Sequence, residues 1–384
     1  MKQFYQILSY ILVAVAAVCV TLTVTALSQS PEYHKLDQLE KLIEDRFVGE
    51  IDSGAMEDGA AAGMVEALGD RWSHYMTKEE YTAYMDRMTN SYVGVGITVQ
   101  VNEEGYVDVL RVEPGGPADE AGVQGGDVLI AVDGQDVKDR DINETKALVQ
   151  GESGSTVSLT FRRGQETLTL QVQRRLVQTQ VAKWQMLEGN VGLVTIVNFD
   201  SRCADESITA IEALVSQGAK ALIFDVRNNP GGYKDELVEL LDYLLPEGPL
   251  FRSVLYDGTE ELDESGESCL DIPMAVLANE NSYSAAEFFA AALVEYEKAQ
   301  FVGEPTTGKG RFQTTFRLAD GSAVTLSIGT YTTPKGVDLT DVGLTPDILV
   351  DVDEETALRI YYGDLPPEGD PQIQAALKLL TADN

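Results

Sequence analysis

The first feature in the hydrophobic pattern is a run of 21 residues, Ile7–Leu27, with no charged side chain. At ~1.5 Å rise per residue a helix of that length spans ~32 Å, close to the ~30 Å hydrocarbon core of a bilayer. Lys2 and the amino terminus precede it, so the positive-inside rule leaves that end in the cytoplasm and puts the rest of the chain outside. A cleaved signal peptide is the alternative, with Ala26-Leu27-Ser28 as an approximate processing site. The reading adopted is an uncleaved, single-pass anchor over residues 1–28, with the body of the chain on the extracytoplasmic side.

After the polar connector around Pro31, Leu36, Leu39, Ile43 and Phe47 recur at helical spacing, and Met56–Leu68 is Ala-rich. Thr77 and Glu80 have the spacing of a capping box ahead of a helix containing Tyr81 and Tyr84. These segments predict a small helical unit over 29–90, with Trp72, Tyr75 and Met76 as packing residues. The period changes at Ser91. Val95, Ile97, Val99 and Val101 alternate as in a half-buried strand, and Val107–Leu110 and Val128–Val132 are further strands, the latter closed by Asp133-Gly134. A short helix is expected over 118–121, another over 142–150, and closing strands over 157–161 and 168–172. Beyond residue 180 strands and helices alternate: strands at 191–197, 221–226 and 274–278, and helices at 204–217, 235–245 and 285–296. Strands return near 300–302, 310–317 and 322–330. Such alternation predicts an α/β layer structure around a central sheet. Residues 265–268 read as a loop, and 351–384 as a helical extension.

Charge narrows the range of partners. The 384 residues carry 28 Lys and Arg against 63 Asp and Glu, a formal net charge of −35, which repels nucleic acid backbones. The three cysteines, Cys19, Cys203 and Cys269, form no CxxC or Cys/His cluster, so neither a metal site nor a cofactor is expected; pairing of Cys203 with Cys269 is the minor alternative to free thiols. The two histidines, His34 and His74, both lie in the N-terminal helical unit without a supporting motif. Acyl-transfer chemistry would therefore need another base, and a buried, neutral lysine can serve.

Two segments supply the groups. Asn279–Glu287 follows a buried strand and opens a helix, so a serine there would sit where free N–H groups stabilise negative charge. Gly303–Gln313 holds Lys309 between two glycines. Taken singly, Ser282 and Ser284 read as helix caps and Lys309 as a solvated loop charge.

Together, SYSAAE and GEPTTGKGRFQ resemble the motifs of the carboxy-terminal processing peptidases, or tail-specific proteases, a family of serine-lysine peptidases with a PDZ domain. DVRNNPGG, VGLTPDI and LGDRWSHYMTKEEY resemble further family segments, in order, over residues 34–380. The resemblance implies Ser284 as nucleophile, Lys309, 25 positions on, as base, and Gln313 as the residue that orients the lysine. It implies an oxyanion hole from Ala285 with Gly231 and Gly232. PGGPADEAGVQGGDVLIAVDGQDV is similar to PDZ domains of bacterial extracytoplasmic proteases, and the loop Tyr92-Val93-Gly94-Val95-Gly96-Ile97 would then receive a peptide's terminal carboxylate. Tyr283 departs from the small residue usual beside the nucleophile.

The expectation is a multidomain α+β protein: anchor 1–28, helical unit 29–90, β-rich PDZ domain 91–175, α/β peptidase domain 176–350 and helical extension 351–384. Its partners would be proteins or peptides with a free C-terminus and the membrane, and the resemblance allows a homodimer. Two other readings compete: a membrane-tethered PDZ adaptor with a degenerate peptidase domain, and a scaffold in which SYSAAE is only a helix start.

Overall fold

A computed structural model of the chain describes residues 33–267 and 269–382, and before them Val15 and Val18 alone. The expected membrane helix therefore lies, but for those two positions, outside the described residues. Among the described residues no helix is long and apolar enough to cross a membrane.

The chain divides into two compact units, one ending at Ala67 and one beginning at Leu68. The first contains α1 (Tyr33–Arg46) and α2 (Ser53–Glu66). The Asp52 carboxylate accepts the Ala55 N–H at 3.0 Å and so caps α2. Neither helix owes its place to a core of its own: no residue of α2 is buried, and Leu39, Leu42, Phe47 and Met64 are exposed.

The second unit begins earlier than the texture change at Ser91 suggests. Residues 68–90, expected with the helical unit, belong to it. His74–Met76 form β1, unpredicted, which pairs antiparallel with β18 (Ala323–Thr332). The capping box of Thr77 and Glu80 is present at the start of α3 (Lys78–Met88).

The PDZ-like module is built on β3 (Ile97–Val101), β4 (Val107–Val112), β5 (Val128–Val132), β7 (Thr156–Arg163) and β8 (Glu166–Gln173), in that order across one sheet, with β6 (Gln135–Asp136) beside β5. Period-2 alternation places Val107, Val109, Leu129, Val157, Leu159 and Phe161 in one core. Two helices close it, α4 (Pro117–Glu120) and α5 (Ile142–Val149). Where a loop was expected, Ser91–Gly94 form β2, which pairs with β9 (Arg175–Gln178), so only Val95 and Gly96 separate β2 from β3.

The remaining chain makes two sheets. The first has the order β10 (Ala182–Leu187), β11 (Val191–Ile196), β12 (Ala221–Asp225), β15 (Met274–Ala278), β16 (Ala299–Gly303) and β19 (Ile348–Leu349), parallel from β11 onward. β12 and β15 are buried throughout, as parallel strands covered on both faces must be. One face packs on α6 (Cys203–Ser216), α7 (Lys234–Leu244) and α8 (Ala285–Glu295). The other packs on α10 (Pro371–Thr381) through Ile373 and Ala376, and α9 (Glu354–Tyr362) precedes that helix. The second sheet is antiparallel: β1, β18, β13 (Gly248–Leu255) and β14 (Glu260–Ser265), with β17 (Arg311–Arg317) also on β18. The β13–β14 hairpin covers residues for which no element was expected, and of the expected loop 265–268 only Ser265 falls within it. Cys203 is buried and Cys269 is partly exposed, and both are free thiols.

Candidate active site

In an open parallel sheet, ligand groups gather where the strands end at their carboxyl ends. Here β12 runs out into 226–233 and β15 into 279–284. The two loops are stitched together: Asn279 Oδ1 accepts the Asn228 N–H at 2.9 Å, and Asn279 Nδ2 donates to Asn228 Oδ1 at 3.1 Å. Ser282, fully buried, donates to the Val226 carbonyl at 2.7 Å and accepts the Asn279 N–H at 3.0 Å. Its hydroxyl is thus committed to the turn, as the capping reading of that serine anticipates.

Ser284 is held differently. It is the residue before α8 and has φ 58°, ψ −127°, a conformation an L-residue adopts at a cost of order 1–3 kcal/mol. Its hydroxyl meets that of Tyr331, a buried ring on β18. Gly231 makes this turn possible. Its φ is +89°, and a Cβ there would lie 2.7 Å from the Ser284 Cβ and 2.8 Å from the Ala285 nitrogen. The Gly231 N–H is spent on Asn229 Oδ1 at 2.8 Å. The N–H groups of Gly232 and Ala285 have no acceptor among the described residues.

Lys309 arrives on the loop between β16 and β17. Glu287, in the first turn of α8 and fully buried, accepts the Gly308 and Lys309 N–H groups at 2.8 and 2.9 Å and the Thr306 hydroxyl. Tyr331 donates to the Lys309 carbonyl. Gly308 (φ +81°) fits because a Cβ would meet the Val342 and Gly343 nitrogens at 2.8 Å, which ties the VGLTPD segment to this loop. Burial pulls the Lys309 ammonium down to about 8, against the opposing pull of Asp70 and Glu287. Burial raises the Glu287 carboxyl, partly offset by the three hydrogen bonds it receives. For Asp70 the order reverses. Burial raises it, but hydrogen bonds from Ser327, Ser73 and the Trp72 N–H, with Arg311 nearby, hold it below the usual carboxylate value.

The Lys309 nitrogen lies 4.6 Å from the Trp72 ring centre and 5.6 Å from that of Tyr283. No hydrogen bond among the described residues joins it to Ser284. Gln313, at a bulge in β17, donates to Ser327 Oγ at 3.0 Å and the Arg311 carbonyl at 3.1 Å rather than touching the lysine. The structure thus brings Ser284, Ala285, Gly231, Gly232 and Lys309 into one site, with Gln313 turned away. His74 is exposed, its ring against the Trp72 carbonyl. Sequence reasoning passed over Glu287 as a working residue, although a lone acid in the apolar stretch AAEFFAAAL signals a buried carboxylate. Asp70 and Tyr331 carried no comparable signal, and Trp72 was read as packing alone.

A second concavity lies in the PDZ-like module. A cavity of about 280 Å³ is bordered by the segment Tyr92–Ile97 and by Thr145, Lys146 and Val149 of α5. β3 is an edge strand of the sheet, and the buried Thr145 hydroxyl has no hydrogen-bond partner among the described residues. The Tyr92 ring lies over Gly94, where a Cβ would meet it at 2.6 Å.

A strained serine at a helix start, unspent amide donors beside it, a desolvated lysine and a separate peptide-sized groove define a serine-type peptidase with a PDZ domain. Comparison with known proteins agrees with this. Residues 190–350 match the model of peptidase family S41, residues 109–163 that of a PDZ domain, and residues 16–82 that of the activating protease CtpB N-terminal domain. Carboxy-terminal processing protease CtpA of Bacillus subtilis is 29% identical over 398 residues, covering 100% of this chain and 84% of the relative. A protein of Staphylococcus haemolyticus described as a CtpA-like serine protease is 30% identical over 320 residues, covering 82% of this chain and 64% of that one. A solved S41 protease structure from Bacteroides fragilis shares the fold at TM-score 0.59 and 17% identity, over 84% of this chain and 90% of that one. The chain belongs to peptidase family S41, and it is a serine-type C-terminal processing peptidase.

Proposed function

We propose that the protein is a membrane-anchored, extracytoplasmic endopeptidase that grips a substrate's free C-terminus in its PDZ groove and cuts upstream with a Ser284–Lys309 dyad. The observation that carries this reading is a desolvated lysine with no salt bridge among the described residues, 5.6 Å from the ring centre of the residue next to a strained serine. In the reaction, neutral Lys309 takes the Ser284 proton as Oγ attacks the scissile carbonyl carbon. The carbonyl electron pair moves onto oxygen, which accepts hydrogen bonds from the Ala285 and Gly232 N–H groups; Gly231 serves by its lack of a side chain. Collapse breaks the C–N bond, and Lys309 returns the proton to the leaving amine. Water, deprotonated by Lys309, then attacks the acyl carbon, the bond from that carbon to Ser284 Oγ breaks, and Lys309 returns the proton to Oγ. Gln313 orients the lysine once its amide leaves Ser327.

The groove's features suit tail capture. β3 offers an unpaired edge for strand addition, the Tyr92–Ile97 segment offers backbone N–H groups to the carboxylate, and Thr145 offers a spare hydroxyl. The uncharged run after Lys2 supports the anchor, and the exposed apolar side chains of α1 and α2 suit pairing with a second copy.

The test is acylation by a fluorophosphonate and cleavage of an unstructured substrate ending in a free or amidated carboxyl. Ser284→Ala and Lys309→Ala should each be inactive in both assays, Ser282→Ala nearly unaffected, and amidation should slow cleavage. An active Ser284→Ala variant would overturn the dyad, and indifference to amidation would overturn tail capture. Carbonate extraction of membranes tests the anchor, since a peripheral or processed form would be released.

A further inference from the structure

The Trp72 and Tyr283 rings are tilted against each other with centres 5.6 Å apart, and the Lys309 nitrogen lies within 6 Å of both. That is the range in which a ring face attracts a cation, most strongly when water is excluded. The same side chain makes no salt bridge among the described residues, although Asp70 and Glu287 are near enough to act on it. The Ser284 hydroxyl meets that of Tyr331, which itself donates to the Lys309 carbonyl. Each half of the dyad thus has an aromatic partner in place of the other half. Tyr283 adjoins Ser284 in sequence, so its ring is fixed by the same strained turn. Its N–H reaches the Asn229 carbonyl at 3.2 Å, which anchors the backbone and leaves the ring to the lysine.

The geometry points to an aromatic seat, formed by Tyr283 and Trp72, that holds Lys309 off Ser284 in the resting enzyme and makes Tyr283 a brake on cleavage. The inference rests on the dyad assigned above. Tyr283 is a positioning residue in this scheme. It touches neither the scissile bond nor the oxyanion, and acts by retaining the base as a cation on its face. Losing the ring removes one of the two cation–ring contacts and shifts the lysine toward the nucleophile. An effect of roughly three- to tenfold in rate matches the strength of one such contact at a partly desolvated site.

The experiment uses the full chain, a short unstructured peptide and a fluorophosphonate. Tyr283→Ala and Tyr283→Leu, the second of which keeps apolar bulk without a ring face, should both raise kcat and the rate of Ser284 acylation about three- to tenfold at unchanged KM. Tyr283→Phe should restore the slow rate. A role in packing alone would slow the enzyme, and a role in a substrate subsite would move KM. Thermal midpoints are measured for all three, and Tyr283→Leu decides should Tyr283→Ala unfold. The proposal is overturned if removal of the ring leaves kcat unchanged or lower, or if Tyr283→Phe behaves as Tyr283→Leu does. Lys309→Ala in the same series keeps the two readings apart: if it stays active the dyad fails, whereas an inactive Lys309→Ala with an unaccelerated Tyr283→Leu sinks the seat alone.

Discussion

Arg227 and Lys309 are two cations drawn out of water near the carboxyl ends of the central sheet, and the protein treats them in opposite ways. Arg227 is met on every side. Asp225 and Asp370 each pair with it, at 2.6 and 2.9 Å, and Gln372 Oε1 accepts from it at 2.9 Å. Burial alone would favour losing its charge, but the two carboxylates outweigh burial and hold the guanidinium above even its ordinary value. Lys309 receives two aromatic faces and two carboxylates at a remove, and burial wins. A structural cation is compensated until its charge is permanent. In the proposed dyad Lys309 is the base, and leaving it under-compensated lets its proton leave near neutral pH.

The strongest way to break that contrast is to give the site the other kind of cation. Lys309→Arg keeps the charge but cannot act as a base, and kcat/KM should fall by about 10⁴-fold or more, as it does when a dyad or triad member is removed. Retained cleavage would show that the positive charge, not its loss, is what matters. The converse is to strip compensation from Arg227. Asp370→Ala leaves a buried charge short of one partner and should destabilise the second unit by roughly 3–5 kcal/mol, read as a lowered denaturation midpoint. A drop below 1 kcal/mol would mean that water replaces the carboxylate.

Between the two cations runs the glycine loop. Gly231→Ala would force a Cβ to within 2.7 Å of the Ser284 Cβ. It should cost about 10²–10³ in kcat, like loss of an oxyanion donor, with KM little changed. The mildest test sharpens the account of Lys309. Because the proposed base works deprotonated, kcat/KM should rise with pH through a limb near the value of about 8 to which burial pushes it. Asp70 favours the protonated form, so Asp70→Asn should move that limb to lower pH. A shift upward would assign the field at Lys309 to another group.

How much of this was legible depends on whether a residue's surroundings are local in sequence. The parallel core was readable because β12 and β15 are continuous apolar runs bounded by turns, and the start of α8 because a strand, a polar loop and an Ala-rich helix follow one another. Ser282 and Ser284 were distinguishable only through motif spacing, since both look like caps. The antiparallel sheet was hard to read: β1 is three residues long and pairs with a strand some 250 positions away, and nothing in HYM announces that partner. The same is true of the ring over Lys309. Trp72 looks like packing until Asp70, Trp72 and Lys309 are seen in one place, and the partner of Gln313 depends on a bulge that no period reveals. Residues that act by being brought together across sheets leave little trace in a linear pattern.

The pairing of Arg227 with Asp370 also bears on the order in which the fold can close. The two lie 143 positions apart, and a chain made at roughly 5–20 residues per second needs about 7–30 s to extend from one to the other. During that interval Asp225 alone faces the guanidinium, α10 has not covered its side of the sheet, and the glycine loop that follows Arg227 lacks its finished base. Ser284 and Lys309 are already present in the growing polypeptide before Asp370 and Gln372 exist to complete the cluster. The Arg227 cluster is thus completed only after synthesis has passed residue 372, and the carboxyl-terminal helix is the closing piece of the sheet's second face.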